Sequence, residues 1–284
     1  MWIAACSLDE RESTAQMAPM RGRLQIIAVL LLSSSSAAEA ADDQPICADR
    51  PSKSTGECTV PVGHVQVETG LVDWTHDHSD GVTSNLTTYG SSLIKYGIST
   101  RADVELGLTP VESVHTRGGG VDEHASGFGD LILRVKYKLT SDEAPVLVAL
   151  DPFVKLPTAS HRMGNGKVEG GLLVATSGQL GKSALTLSLD PELDLVADAA
   201  GDGRHLATQQ VVNLGFAVSD RVGLSTELWA KWDWGPAGTG KQASWDVAAT
   251  YLATRKLQLD AGANFGINRQ TPGVELYTGL SARF

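Results

Sequence analysis

The sequence predicts an all-β protein, an antiparallel up-and-down transmembrane β-barrel of the outer-membrane type with about 12 strands. Three observations lead to this prediction. Apolar and polar residues alternate with a period of two from residue 62 to the end of the chain, which indicates strands with one apolar and one polar face. No segment of this region has a convincing helical period. The connections alternate between short and long, which is typical of a barrel with two different ends.

Twelve alternating segments are predicted as strands. The segment around residues 131–139 is representative, because Leu131, Leu133 and Val135 alternate with the charged side chains Arg134, Lys136 and Lys138. The predicted spans are 63–74, 85–98, 102–113, 129–140, 145–156, 168–179, 183–195, 208–218, 221–233, 243–254, 257–267 and 274–284. Because the last segment ends the chain with an apolar residue at every second position, Phe284 lies on its apolar face.

The connections distinguish a membrane barrel from a soluble sandwich. Short connections follow every second segment, whereas the others are mostly long and polar or glycine-rich, as in residues 76–84, 116–127, 159–166, 199–205 and 235–241. Outer-membrane barrels have short periplasmic turns and longer outside loops. The apolar rows are therefore predicted to face lipid and the charged rows to face the lumen, where their desolvation costs little. A soluble β-sandwich is the alternative fold.

The composition excludes some classes of function. The chain has a formal net charge of −10, so a nucleic-acid-binding protein is not expected. No run of about 20 apolar residues follows the N-terminal region, so no mature transmembrane helix is expected. No GxSxG motif is present, which argues against a hydrolase of the nucleophile-elbow type. An outer-membrane phospholipase or protease is the less favoured alternative.

Residues 1–40 are predicted to be a leader. Residues 20–40 contain two arginines, an apolar stretch and small residues at Ala38 and Ala40, which indicates a signal peptide cleaved after Ala40. Residues 1–19 are polar and acidic, so Met20 is the predicted start, with a long N-terminal region of the signal as the alternative. Residues 41–61 are predicted to form a periplasmic arm, under or inside the mouth of the barrel, and residues 62–284 the barrel.

Two cysteines, Cys47 and Cys58, remain after the leader is removed. In an oxidising periplasm an even pair is predicted to form a disulfide. Two free thiols are the alternative. A metal site at this pair is less favoured, because no nearby histidine and cysteine set completes a tetrahedral site. Six histidines, at positions 76, 78, 115, 124, 161 and 205, fall in the predicted outside loops without a fixed ligand spacing. No metal and no cofactor are predicted.

The predicted lumen is charged. Its candidate solute pathway consists of the basic residues Arg134, Lys136, Lys138, Lys155 and Lys231 and the acidic residues Asp151, Glu169, Asp190, Glu192, Asp194, Glu227 and Asp233. Asp246 and Asp260 add further acidic positions. Opposed basic and acidic walls can select polar solutes at a constriction. Alternatively, the charges pair across strands and fill a narrow barrel. Trp232, Trp234 and Trp245 are predicted to contribute to an aromatic girdle, whereas Trp229 falls on the lumen row.

Several motifs resemble a known family. Asp-Arg-Pro at 49–51, residues 59–70 (TVPVGHVQVETG), residues 127–139 (GFGDLILRVKYKL) and residues 264–284 resemble the transporter family labelled "putative meta-pathway of phenol degradation". The resemblance covers residues 49–284 and implies an outer-membrane barrel linked to transport. It does not imply substrate-binding residues, and the Cys47/Cys58 pair is not a general feature of that family. Phe284 also resembles the C-terminal signal read by the barrel assembly machinery.

The sequence therefore predicts an outer-membrane protein for passive transport or binding of small molecules, with aromatic compounds as one candidate class. The alternative is a closed structural or adhesive barrel. The expected partners are outer-membrane lipid and lipopolysaccharide, the barrel assembly machinery during biogenesis, and an unidentified small solute.

Overall fold

Strands account for most of the chain in the computed structural model, which describes residues 44–284. The predicted leader lies outside the described residues. Fourteen strands follow one another: β1 (Val65–Ser79), β2 (Val82–Ser99), β3 (Ala102–Leu108), β4 (Val111–Gly118), β5 (Val121–Gly127), β6 (Leu131–Lys138), β7 (Leu147–Leu156), β8 (Glu169–Gln179), β9 (Leu185–Ala197), β10 (Arg204–Ala217), β11 (Val222–Gly235), β12 (Gly238–Thr254), β13 (Leu257–Gly266) and β14 (Val274–Arg283). Within the described residues, no helix is long and apolar enough to cross a membrane.

Two pairs of short strands form single spans of the barrel. Strands β3 and β4 both pair with β2, and the break between them contains Pro110, which has no backbone N–H to donate to a neighbouring strand. Strand β4 pairs with β5, and β3 pairs with β6. With β3–β4 and β5–β6 each counted once, the described strands make the predicted 12-stranded antiparallel barrel, and the predicted fold class is confirmed.

The two ends of the chain close the barrel. Strand β1 pairs with β2 on one side and with β14 on the other. Beyond the last ladder residue, the backbone N–H of Phe284 donates to the carbonyl of Val65 at 2.8 Å, and the N–H of Val65 donates to the carbonyl of Phe284 at 3.2 Å. The Phe284 residue is 72% exposed. Closure leaves no unpaired edge at this seam, as a bilayer requires.

The barrel is apolar outside and polar inside. On β14, Leu276 faces outward and is 46% exposed, whereas Ser281 faces inward and has no exposed surface. The largest fully buried side chains are all polar or charged: Lys95, Lys136, Gln66, Glu68, Asp103, Asp151, Asp190, Asp246, Ser244 and Ser281. This distribution is the reverse of that in a soluble protein and is the one expected for a barrel surrounded by lipid.

Three of the predicted outside loops are wrong in extent. Residues 76–84, 116–127 and 235–241 belong mostly to paired strands that end in two-residue turns at Asp80-Gly81, Gly119-Gly120 and Pro236-Ala237. In the first two turns both central residues have positive φ, with values of 51° and 77° for Asp80 and Gly81. That backbone matches the twist of a hairpin, so pairing continues where polar composition alone suggests a loop.

Candidate functional site: the N-terminal arm in the barrel lumen

Residues 44–61, here called the N-terminal arm, lie inside the barrel. Near its start the arm is held at the turn between β12 and β13, where the N–H of Ile46 donates to the carbonyl of Arg255 at 2.7 Å. The guanidinium of Arg283 donates to the carbonyl of Gln44 at 2.6 Å. At its other end, Val62 forms a bridge with Gly97 of β2. The arm therefore enters and leaves through the same mouth. The long connection at residues 157–168 and the extended hairpins that end at Asp80-Gly81 and Pro236-Ala237 lie at the other end, which identifies this mouth as the periplasmic one.

Asp49 of the arm lies between two buried lysines of the wall. Its carboxylate forms ion pairs with Lys95 of β2 and, at 2.8 Å, with Lys136 of β6. Lys95 also pairs with Glu68 at 2.6 Å, and Lys136 lies 3.6 Å from Glu105. Burial by itself raises the pKa of Asp49, but the two ammonium groups outweigh it and hold the pKa below its usual range. Asp49 is therefore a charged link between the arm and one wall.

Arg50 connects the arm to β13 and β1. Its guanidinium donates to the carboxylate of Asp260 on β13 at 3.0 Å and lies 4.0 Å from Asp73 on β1. Its backbone N–H donates to Glu68 at 2.9 Å. Asp260 is almost fully buried, so the arginine supplies the cation that a buried carboxylate requires.

Lys53 and its neighbours satisfy a second group of buried carboxylates. The ammonium of Lys53 donates to Asp246 on β12 at 2.7 Å, and its backbone N–H donates to Glu227 on β11 at 3.0 Å. The hydroxyl of Ser54 and the N–H of Thr55 donate to Asp190 on β9 at 2.6 and 3.0 Å. The arm is thus complementary in charge to the walls that surround it.

A disulfide closes the base of the arm. Cys47 and Cys58 are bonded in the structure, with their Cα atoms 6.4 Å apart. The arm residues described above, from Asp49 to Thr55, lie within the loop that this bond closes. The bond therefore restricts the conformations open to the arm when its contacts with the wall are broken.

Replacing both Cys47 and Cys58 by serine is expected to weaken the docked arm by about 2–4 kcal/mol, the usual range for a closed loop of this size. The readout is the rate of trypsin cleavage after Lys53 in the folded barrel, because cleavage follows the population of undocked arm. Mobility in gels before and after heating checks that the barrel itself is folded. Equal cleavage rates in the variant and the parent protein would contradict the expectation.

The predicted lumen charges all lie on or next to the inner wall, mostly in pairs. Lys155 pairs with Glu169 at 2.8 Å and with Asp130 at 3.2 Å. Lys138 pairs with Asp142 of the following turn. The remaining contacts join Arg134 to Asp151 at 3.4 Å, Gln209 to both Glu192 and Asp194 at 2.7 and 3.1 Å, Lys231 to Asp194 at 4.0 Å, and Asp233 to His205 at 2.8 Å.

Sequence reasoning missed part of the wall. Glu68 on β1, Lys95 on β2, and Asp103 and Glu105 on β3 are buried charges, and none was among the predicted lumen residues. For two of them the sequence contains the alternation that predicts a lumen position, because Asp103 and Glu105 alternate with Val104 and Leu106. The arm residues had no comparable signal, since residues 44–61 have no period.

Among the described residues, the arm lies between a cavity on the periplasmic side of the lumen and cavities on the outer side. A cavity of about 390 Å³ lies on the periplasmic side, against Ser54, Thr55 and the ends of β9 to β12. On the outer side, cavities of about 440, 320 and 250 Å³ follow one another: Asp233 lines the first two, and Gln242 lines the second and third. The innermost of these three contacts Lys53. Neighbouring cavities therefore extend from the outer mouth to the arm.

The outer mouth contains a histidine between two carboxylates. His205 on β10 lies 2.6 Å from Asp198 and 2.8 Å from Asp233. Within residues 44–284, no group of histidine, cysteine and acidic side chains has the arrangement needed for a metal ion. Five of the six histidines predicted in outside loops, all except His161, instead lie on strands. Trp232 and Trp234 are exposed near the outer end of β11, where a girdle is expected. Trp245 is also exposed, but it pairs with Leu228 midway along β11, so its predicted place in the girdle is not the one observed.

A closed barrel with an apolar outer face, a polar lumen and a row of lumen cavities defines the class of outer-membrane β-barrel proteins. The chain belongs to the family described as "Putative MetA-pathway of phenol degradation", whose model matches residues 48–284. No curated protein matches the chain.

Among solved structures, an outer-membrane channel from Pseudomonas putida F1 has a TM-score of 0.64 at 17% identity, covering 82% of this chain and 100% of that one. The translocator domain of the autotransporter NalP from Neisseria meningitidis has a TM-score of 0.52 at 11% identity, covering 88% of this chain and 92% of that one.

Proposed function

We propose that the protein is a channel for the passive passage of small molecules across the outer membrane, and that the N-terminal arm closes its lumen. One observation carries the proposal. Asp49, Arg50 and Lys53 of the arm form ion pairs with opposite walls of the barrel, at a level between the periplasmic cavity and the outer cavities. An arm held by separate ion pairs can be released as a unit, and its release joins the cavities on its two sides.

Two observations favour transport over catalysis. The chain shares its fold with an outer-membrane channel, and the charged lumen residues contact the arm or one another. The family description refers to phenol degradation, so aromatic acids and phenols are the first solutes to test. Lipid, lipopolysaccharide and the barrel assembly machinery remain the proposed partners of the barrel wall and of Phe284.

The test compares two forms of the mature chain, residues 41–284, refolded into planar bilayers. In the variant, residues 49–55 are replaced by glycine and serine, while Cys47 and Cys58 are kept. The expected result is a low conductance of the parent protein and large stepwise openings of the variant, because the replaced segment carries Asp49, Arg50 and Lys53.

The control replaces a segment of equal length, residues 159–165 of an outer loop, in the same way and is expected to resemble the parent protein. Folded barrels without conductance in all three forms would contradict the channel and favour the structural or adhesive alternative. Block of the openings by aromatic acids would favour those solutes.

A further inference from the structure

The ammonium of Lys53 lies among groups that suit a cation. It donates to the carboxylate of Asp246 at 2.7 Å and to the hydroxyl of Ser244 at 3.3 Å. It also lies 5.4 Å from the centre of the Trp229 ring. A carboxylate, a hydroxyl and an aromatic face are the groups with which proteins bind ammonium ions. The side chains of Asp246 and Ser244 are almost fully buried.

One of these groups can accept a further hydrogen bond. The second carboxylate oxygen of Asp246, Oδ1, is buried and has no hydrogen-bond partner among the described residues. The cavity of about 250 Å³ on the outer side is lined by Lys53, Trp229 and Ser244 and also by Asn264 and Glu275. A small molecule that reaches the innermost outer cavity therefore meets Trp229 and Ser244, two of the groups that Lys53 contacts. The third, Asp246, does not line this cavity while Lys53 is bound to it.

The surrounding wall favours positive charge. Along β11 to β14 the inward-facing charges are Glu227, Asp233, Asp246, Asp260 and Glu275, against Lys231 and Arg283. An excess of one sign in a narrow lumen concentrates ions of the opposite sign. When the arm is docked, Arg50 and Lys53 supply the cations that this wall attracts. When the arm is undocked, the wall attracts cations from solution in the same way.

We propose that Asp246, Ser244 and Trp229 form a binding site for small primary ammonium ions, and that Lys53 occupies this site while the channel is closed. The inference rests on the proposed function, because a solute gains the site when the arm leaves. A cationic solute then competes with the arm for the same carboxylate. The side chain of Lys53 acts as a tethered copy of the ligand.

The test uses propylammonium, which has the atoms of a lysine side chain beyond Cβ. In the Lys53→Ala variant of the mature chain these atoms are missing and the site is vacant, although the arm is still present. Titration calorimetry is expected to show propylammonium binding to this variant at least about tenfold more tightly than to the parent protein, because the added ion recovers a charge-assisted hydrogen bond. Propionate and 1-propanol, of similar size, are expected not to bind.

Two further variants identify the site. Adding Asp246→Asn to Lys53→Ala is expected to weaken propylammonium binding at least about tenfold, whereas adding Asp194→Asn, the same change elsewhere in the lumen, alters it less than about twofold. If Asp246→Asn does not fold, adding Trp229→Leu to Lys53→Ala tests the aromatic face and is expected to weaken binding several-fold. Equal binding to the Lys53→Ala and parent proteins, or equal effects of Asp246→Asn and Asp194→Asn, would overturn the site. Calorimetry does not depend on conductance, so the channel and the ammonium site can fail separately.

Discussion

Replacing Asp49 by asparagine is expected to open the channel on the order of a hundredfold more often. The change keeps the shape of the side chain but removes the negative charge between Lys95 and Lys136. Removing one partner of a buried ion pair costs about 3–5 kcal/mol, since the other charge stays buried. Here the cost applies to the docked arm, and about 3 kcal/mol corresponds to a factor of about 150 in the ratio of docked to undocked arm. The measurement is the open probability of single channels in planar bilayers.

The matched control is Asp142→Asn. Asp142 pairs with Lys138 on the same strand as Lys136, but its side chain is exposed in a periplasmic turn, and exposed pairs contribute about 0–1 kcal/mol. Its open probability is therefore expected to stay near that of the parent protein. Adding Lys136→Met to Asp49→Asn removes one stranded charge and should recover part of the closed state. An Asp49→Asn channel that stays as closed as the parent would show that these ion pairs do not hold the arm.

The second large effect is expected on the lipid side of the wall. Leu228 lies midway along β11 and is 56% exposed, between the inward-facing Glu227 and Trp229. An arginine at the middle of a bilayer on the outer face of a barrel costs about 2–4 kcal/mol. Leu228→Arg is expected to lower the free energy of unfolding by this amount in denaturant titrations of the barrel in lipid vesicles.

The control for depth is Val121→Arg. Val121 is also exposed, but it begins β5 next to the turn at Gly119-Gly120, at the outer end of the barrel. Arginine near or beyond the interface costs about 0–1 kcal/mol. Equal losses for Leu228→Arg and Val121→Arg would mean that Leu228 does not face the bilayer core, and the assignment of the two faces of β11 would be wrong.

The inner and outer faces of the strands could be predicted because a strand has a strict period. Arg134, Lys136 and Lys138 alternate with apolar residues, so all three lie on the same face of β6. Assigning that face to the lumen therefore places all three there. The extent of the hairpins could not be predicted in the same way. Around Asp80-Gly81 and Gly119-Gly120 the strands leave the membrane, so both faces become polar and the contrast between them disappears.

The position of the arm depends on contacts that the sequence does not display. Asp49 meets Lys95 and Lys136, which are 46 and 87 positions away along the chain, and Lys53 meets Asp246, which is 193 positions away. Local patterns give no information on such partners. The only local indication was the presence of several charges between two cysteines, and this also fits an exposed periplasmic loop.

The seam between β1 and β14 has a consequence for the order of folding. It pairs Gln66 with Arg283, residues almost at opposite ends of the described chain, so closure has the largest loop-entropy cost of the strand pairings and is expected to form late. Until then both strands present open edges, which are prone to pair with other chains. The arm immediately precedes β1, so it has to be gathered into the lumen before or while the seam closes. The barrel is thus expected to fold around its own N-terminus, and the arm to be present from the moment the wall is complete.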